Sequence, residues 1–195
     1  MGTDRLADQA PLKIRAFFAL RLPERQREDL IRFLEQCAAA APEFRWAAAG
    51  NLHLTLRFIG SVERDLVEGI ADRLDGSAGT AFEIALGGVG TFRRGRLARV
   101  VWLGVLSGAE PMRLLAERVE SECRAAGLEP ETRAFKPHLT LARARARDGA
   151  SVPDLPVLPG LEPWRATELI LYSSHLQRAG AVHEPIRSIP LTSGS

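Results

Sequence analysis

The chain has four histidines, His53, His138, His175 and His183. Two of them head the same tetrapeptide, His53-Leu54-Thr55-Leu56 and His138-Leu139-Thr140-Leu141. Both copies lie in segments that read as strands. Side chains alternate between the two faces of a strand. His53 and Thr55 therefore share one face, with Leu54 and Leu56 on the other, and His138 and Thr140 share a face in the same way. The leucines can anchor each strand in a core while the imidazole and hydroxyl point out together. Two such strands, side by side in a pseudo-symmetric fold, would surround one cleft with two imidazoles and two hydroxyls.

That set suits in-line displacement at phosphorus. Imidazole titrates near neutral pH, so a pair can hold one neutral ring as base and one protonated ring as acid. Threonine hydroxyls donate to an oxyanion. Arg143, on the far side of the strand end from His138, supplies a charged fork for phosphate. One histidine activates the incoming oxygen and the other protonates the departing one, with no metal required. Either P–O bond can break, depending on which oxygen lies in line.

The elements that must position these groups are written in the apolar periodicity of the chain. Lys13 to Leu22 reads as a buried strand, followed by a helix from Glu24 to Ala40 behind Pro23. Phe44 to Ala47 and Asn51 to Ile59 read as strands. Val62, Leu66, Ile70 and Leu74 form the apolar stripe of a second helix. Strands follow at Phe82 to Leu86 and Ala98 to Leu106, with a glycine-marked turn or bulge between them. A third helix runs from Glu110 to Ala126, with Leu114, Leu115 and Val119 inward and Gly127 as its stop. Strands are expected at Glu131 to Phe135, His138 to Arg143, Thr167 to His175 and Ala181 to Ile189. The stretch from Arg143 to Gly160 reads as a long surface loop. The order implies an α+β fold with largely antiparallel sheet.

Composition bounds the rest. With 195 residues, 46% hydrophobic and 26% charged, the chain is a globular domain or two small lobes sharing a core. No apolar run is long enough for a membrane helix, and Met1 to Pro11 lacks the apolar core of a signal peptide. Both point to a cytoplasmic protein. A net charge of +2 does not make a general polyanion binder. The charge is clustered, however, in Arg93, Arg94, Arg96 and Arg99 and again in Arg143, Arg145 and Arg147. These runs can be solvated turns or can steer an RNA backbone. Cys37 and Cys123 sit in helical patterns and read as two reduced, buried thiols.

The chain resembles the two-histidine phosphoesterase superfamily, defined by a duplicated His-x-Thr-x motif. Within it the likeness is to the bacterial and archaeal RNA 2′,3′-cyclic phosphodiesterases, also called 2′-5′ RNA ligases. It covers most of the sequence. Arg15 to Leu20, Arg45-Trp46, Asn51 to Leu56, Phe58-Ile59-Gly60, Phe92 to Arg96, Val101 to Gly104, Phe135 to Arg143 and Leu171 to Leu176 all carry it. His183 is a departure, since relatives usually have an aromatic residue there, often tyrosine. The resemblance implies hydrolysis of a terminal RNA 2′,3′-cyclic phosphate to a 2′-phosphomonoester, without metal, and weak reverse 2′-5′ ligation. It implies His138 as proton acceptor and His53 as proton donor, with Thr55, Thr140 and Arg143 on the phosphate. It also implies two lobes, each an antiparallel sheet flanked by helices, facing across a central cleft. The whole of 1–195 is then one two-lobed domain, with 1–12 and 191–195 flexible. Lys136, Arg93, Phe17 and Trp46 are secondary candidates for substrate binding. Phe17, Trp46 and Trp102 otherwise read as core, with a base-stacking role open to one of them.

The rival uses of these residues are weaker. Zinc needs three or four ligands, and no further His or Cys lies within a few residues of either motif. The expected cofactor set is therefore empty. His175 and His183 read as ordinary strand histidines. The expected partners are RNA ends or small cyclic nucleotides, with no membrane and no metal, acting on a monomer. The alternative is a non-catalytic module that binds RNA ends or phosphate, for which retention of both histidines and both threonines has no purpose.

Overall fold

The computed structural model describes residues 12–177 and 180–193. Nine strands, three helices and one short 3-10 turn are found among them. In chain order they are β1 (Lys13–Arg21), α1 (Glu24–Ala40), β2 (Phe44–Trp46), the 3-10 turn (Ala49–Asn51), β3 (His53–Glu63), α2 (Arg64–Leu74), β4 (Phe82–Arg94), β5 (Leu97–Ser107), α3 (Ala109–Ala125), β6 (His138–Ala144), β7 (Trp164–Ala166), β8 (Glu168–Gln177) and β9 (Gly180–Pro190).

The strands form two sheets, ordered β3-β1-β8-β9 and β2-β6-β5-β4-β7. Every paired strand in them runs antiparallel to its neighbours. This is the expected α+β class. The two motif strands are not side by side as a hydrogen-bonded pair, however. β3 edges the four-stranded sheet, and β6 lies between β2 and β5 in the other. One sheet thus carries His53 and the other His138.

Amphipathic faces drive the assembly. Leu30, Phe33, Leu34 and Cys37 of α1 are buried, as are Val67, Ile70, Ala71 and Leu74 of α2 and Met112, Leu115, Val119 and Cys123 of α3. They pack with Phe18, Leu20, Leu54, Leu56, Leu103, Leu139 and Leu141 in one core. A smaller cluster of Phe17, Ala19, Ile170 and Tyr172 is separate. β1 alternates between the two, with Ala16, Phe18 and Leu20 in the main core and Phe17 and Ala19 in the smaller cluster. Burial pushes the Cys37 and Cys123 thiols up to about 11, as expected for inert core thiols. Both are unpaired.

Several expected boundaries move. Val62 belongs to β3, opposite Ile14, because pairing with β1 outcompetes the helical stripe. Leu114 is 53% exposed, since the buried face of α3 runs through Met112, Leu115 and Val119. Residues 131–135 make no strand; they approach β6 irregularly. β7, a three-residue edge strand, carries too short a pattern to read. Leu191 and Thr192 are not frayed: Leu191 N–H donates to Thr167 and Thr192 N–H to Gly79, and Leu191 is buried. Residues 1–11, 194 and 195, also expected to be flexible, lie outside the described residues. Among the described residues, no helix is long and apolar enough to cross a membrane.

Candidate active site

His53 opens β3 and His138 opens β6, and the two are held alike. His53 Nδ1 donates to the carbonyl of Asn51 at 2.7 Å, and His138 Nδ1 to the carbonyl of Lys136 at 2.6 Å. A carbonyl only accepts, so Nδ1 carries the proton in each neutral ring. Nε2 is left as the nitrogen that can take up or give a proton. Lys136 thus serves through its main chain; its side chain is exposed. Thr55 and Thr140, each two residues on along its strand, are half-buried beside the histidines, while the alternating leucines lie in the core.

Arg143 reaches the same site through a defect in the ladder. On β5, Val101 and Trp102 are consecutive, but their partners on β6 are Ala142 and Thr140. Leu141 is the extra residue of a β-bulge. A one-residue slip turns the following side chains over. Leu139, Leu141 and Ala142 are all buried and Arg143 is exposed on the His138 side. Its charge lowers the pKa of both imidazoles. Arg45 lies opposite it on β2, so positive charge gathers here.

Each imidazole sits against aromatic rings. Phe17 lies 4.7 Å from His53 between centroids and 5.1 Å from Tyr172. Phe92 lies 4.9 Å from His138 and Trp102 6.4 Å. Phe17 is therefore the floor of the site rather than part of the main core. Gly90 makes room for the Trp102 ring, since a Cβ there would come within 2.2 Å of it. Burial pushes His53 down to about 4, against the bond to Asn51, and the charges of His183, Arg143 and His138 act with burial. Burial also lowers His138, with Arg143 adding to it. Both shifts favour the neutral ring in the free protein.

Other candidates fall elsewhere. Trp46 donates from its indole N–H to Ala41 and packs on Phe44. Arg93 is exposed and is engaged within its own hairpin, with Thr91 and the Arg96 carbonyl. Among the described residues, the Trp46 ring pairs with no imidazole ring and Arg93 hydrogen-bonds to none. His183 was missed. It stands 5.1 Å from His53 and 4.9 Å from Phe17, edge to face with both. Its only sequence signal was a histidine at a place where relatives carry an aromatic ring. His175 conforms to expectation, exposed beside Ser173 and Glu184.

The model of the 2′-5′ RNA ligase superfamily matches residues 22–178. The chain belongs to that family. It is 32% identical over 180 residues to the RNA 2′,3′-cyclic phosphodiesterase of Escherichia coli K12, covering 91% of this chain and 97% of that one. It is 33% identical over 180 residues to the RNA 2′,3′-cyclic phosphodiesterase of Methanothermobacter thermautotrophicus, covering 88% and 96%. The crystal structure of E. coli LigT complexed with 3′-AMP superposes with a TM-score of 0.80 at 30% identity, over 93% of this chain and all of that one (100%). Membership makes this chain a phosphodiesterase of that family, on a fold shared along nearly its whole length.

Proposed function

We propose that the chain hydrolyses the terminal 2′,3′-cyclic phosphate of RNA to a 2′-phosphomonoester, as one two-lobed domain and without a metal ion. The observation that carries this reading is the matched anchoring of two imidazoles through Nδ1, one from each lobe. His138 accepts the proton of the attacking water at Nε2. A bond forms from that oxygen to phosphorus, and the bond from phosphorus to the 3′-oxygen breaks. His53 donates its proton to that leaving oxygen. Thr55, Thr140 and Arg143 bind the non-bridging oxygens, where negative charge is concentrated. The phosphate favours the charged form of each ring, so a ring that is neutral in the free protein can be protonated in the complex. Among the described residues, no group of three His, Cys, Asp or Glu side chains could hold a metal ion. With a ribose 5′-hydroxyl in place of water, the same displacement joins two RNA ends through a 2′-5′ linkage.

The test is phosphorus NMR of a 2′,3′-cyclic nucleotide, or of an RNA ending in one, incubated with the protein in EDTA. The expected product is the 2′-phosphate. A 3′-phosphate would reverse the leaving-oxygen assignment. No conversion, with tight RNA binding, would make the protein a reader of RNA ends.

A further inference from the structure

His53 and His138 each use the carbonyl two residues earlier as an anchor. His183 does not do the same. The carbonyl two residues before it, that of Ala181, accepts from Asn51 Nδ2 at 2.7 Å. Asn51 is also the residue whose main-chain carbonyl holds His53. One residue thus ties the 3-10 turn to β9 and orients His53 at the same time. The amide orientation follows from chemistry, because a carbonyl accepts only from the NH2 end. His183 Nδ1 is buried with no hydrogen-bond partner among the described residues. The ring stands at 88° to His53, with centroids 5.1 Å apart.

We infer that His183 is a positioning residue for His53, held by Asn51 at the distance from which its own charge decides when His53 carries a proton. The inference rests on His53 being a catalytic imidazole, as proposed above. The groups facing His53 are Phe17 from β1, Tyr172 from β8, His138 and Arg143 from β6, and His183 from β9. Tyr172 is itself engaged by Arg21, whose Nε donates to the phenol oxygen at 3.4 Å. Glu184 follows His183 on β9 but turns to the other face, where it meets His175 at 3.5 Å. No carboxylate in this set compensates a charge on His183. Two imidazolium rings this close repel, so a proton on His183 opposes one on His53. An aromatic side chain at 183 would keep the edge-to-face packing and remove the opposition. Burial lowers His183 as well, so the brake acts on the acid side of neutrality.

The experiment is a nitrogen-15 NMR titration of the His53 ring in the wild-type protein, in His183→Phe and in His183→Gln, paired with the pH profile of kcat/KM. Phe keeps a ring and Gln keeps polarity, and both lack the charge. The expected result in either variant is an upward move of the His53 midpoint by about one pH unit. One limb of the kcat/KM profile moves with it. His175→Gln, on the exposed side of the neighbouring strand, moves neither. An unchanged His53 midpoint in a folded His183 variant overturns the inference. A moved midpoint with both limbs unmoved upholds the influence of His183 and overturns the acid role of His53.

Discussion

Leu56 and Leu141 occupy the same fourth position of the two motifs, and each is the extra residue at which its strand slips against its neighbour. On β1, Phe18 and Ala19 are consecutive while their partners on β3 are Arg57 and Thr55. On β5, Val101 and Trp102 are consecutive while their partners on β6 are Ala142 and Thr140. The slip decides which following residue joins the histidine and threonine. In β6 it is Arg143. Its counterpart in β3 is Phe58, 47% exposed, 6.4 Å from Phe17 and under Arg15. The two strands repeat the imidazole and the hydroxyl but differ in what they add, a charge on one side and an aromatic surface on the other.

Arg143→Met keeps an unbranched apolar stem and removes the charge. It should raise KM by tens of fold, on the order of the 1.5–3 kcal/mol of a hydrogen bond to a charged group. It should also flatten the dependence of kcat/KM on salt concentration. Steady-state kinetics on a cyclic nucleotide at two ionic strengths checks both. An unchanged KM would remove Arg143 from the phosphate site.

The acid–base pair should appear in the pH profile. Both imidazoles have pKa values below the usual 6.5, with His53 near 4. The kcat/KM profile, which reports the free enzyme, is therefore expected as a bell with both limbs below pH 6.5. The kcat profile reports the complex, in which bound phosphate favours imidazolium, so its limbs should lie at higher pH. The limbs belong to the pair rather than to single residues. Limbs at the same pH in both profiles would mean that the phosphate does not sit between the rings.

The same burial acts on stability. His53 and His138 have folded pKa values lowered from 6.5. The unfolded chain binds their protons first as pH falls, so their contribution is complete above pH 6.5 and is lost toward pH 4. His53→Gln should show a shallower fall of Tm between pH 6.5 and 4 than the wild type, by scanning calorimetry. An equally steep fall would assign the acid sensitivity to other groups.

Single substitutions His53→Ala and His138→Ala should each lower kcat by roughly 10²- to 10⁴-fold, the usual worth of one general acid or base. Binding of a nucleotide 2′-phosphate, measured by calorimetry, should persist because Thr55, Thr140 and Arg143 remain. Near wild-type turnover in either variant would end the two-histidine scheme.

Arg57 links β3 to the segment leading into His138. Its guanidinium lies 2.7 Å from Glu120 of α3 and 3.6 Å from Glu131, and it donates to the Glu129 carbonyl at 2.6 Å. Its side chain is only 10% exposed. Arg57→Met leaves Glu120 without its charge partner and should cost about 1–3 kcal/mol by urea unfolding. Adding Glu120→Gln should recover part of that loss. A double variant no more stable than Arg57→Met would show that the ion pair is not what holds the segment.

Local pattern carried the outline of this protein. The apolar periodicity of Glu24–Ala40 marked α1 to the residue, and β1, β5 and α3 each lay within a residue of their expected ends. Identical tetrapeptides with period-two alternation put imidazole and hydroxyl on one face, because strand geometry depends only on local backbone shape. Fold class, and the placing of each imidazole beside its hydroxyl, were legible for that reason. The partners across space were not. Which sheet each motif strand joins, the bulges at Leu56 and Leu141, and the meeting of His183 with His53 are settled by pairing between residues far apart in the chain. No local preference encodes that pairing, since the same alternation fits several neighbours and registers until the whole core selects one. Val62 shows the competition directly: its helical spacing was real, and a place opposite Ile14 on β1 overrode it.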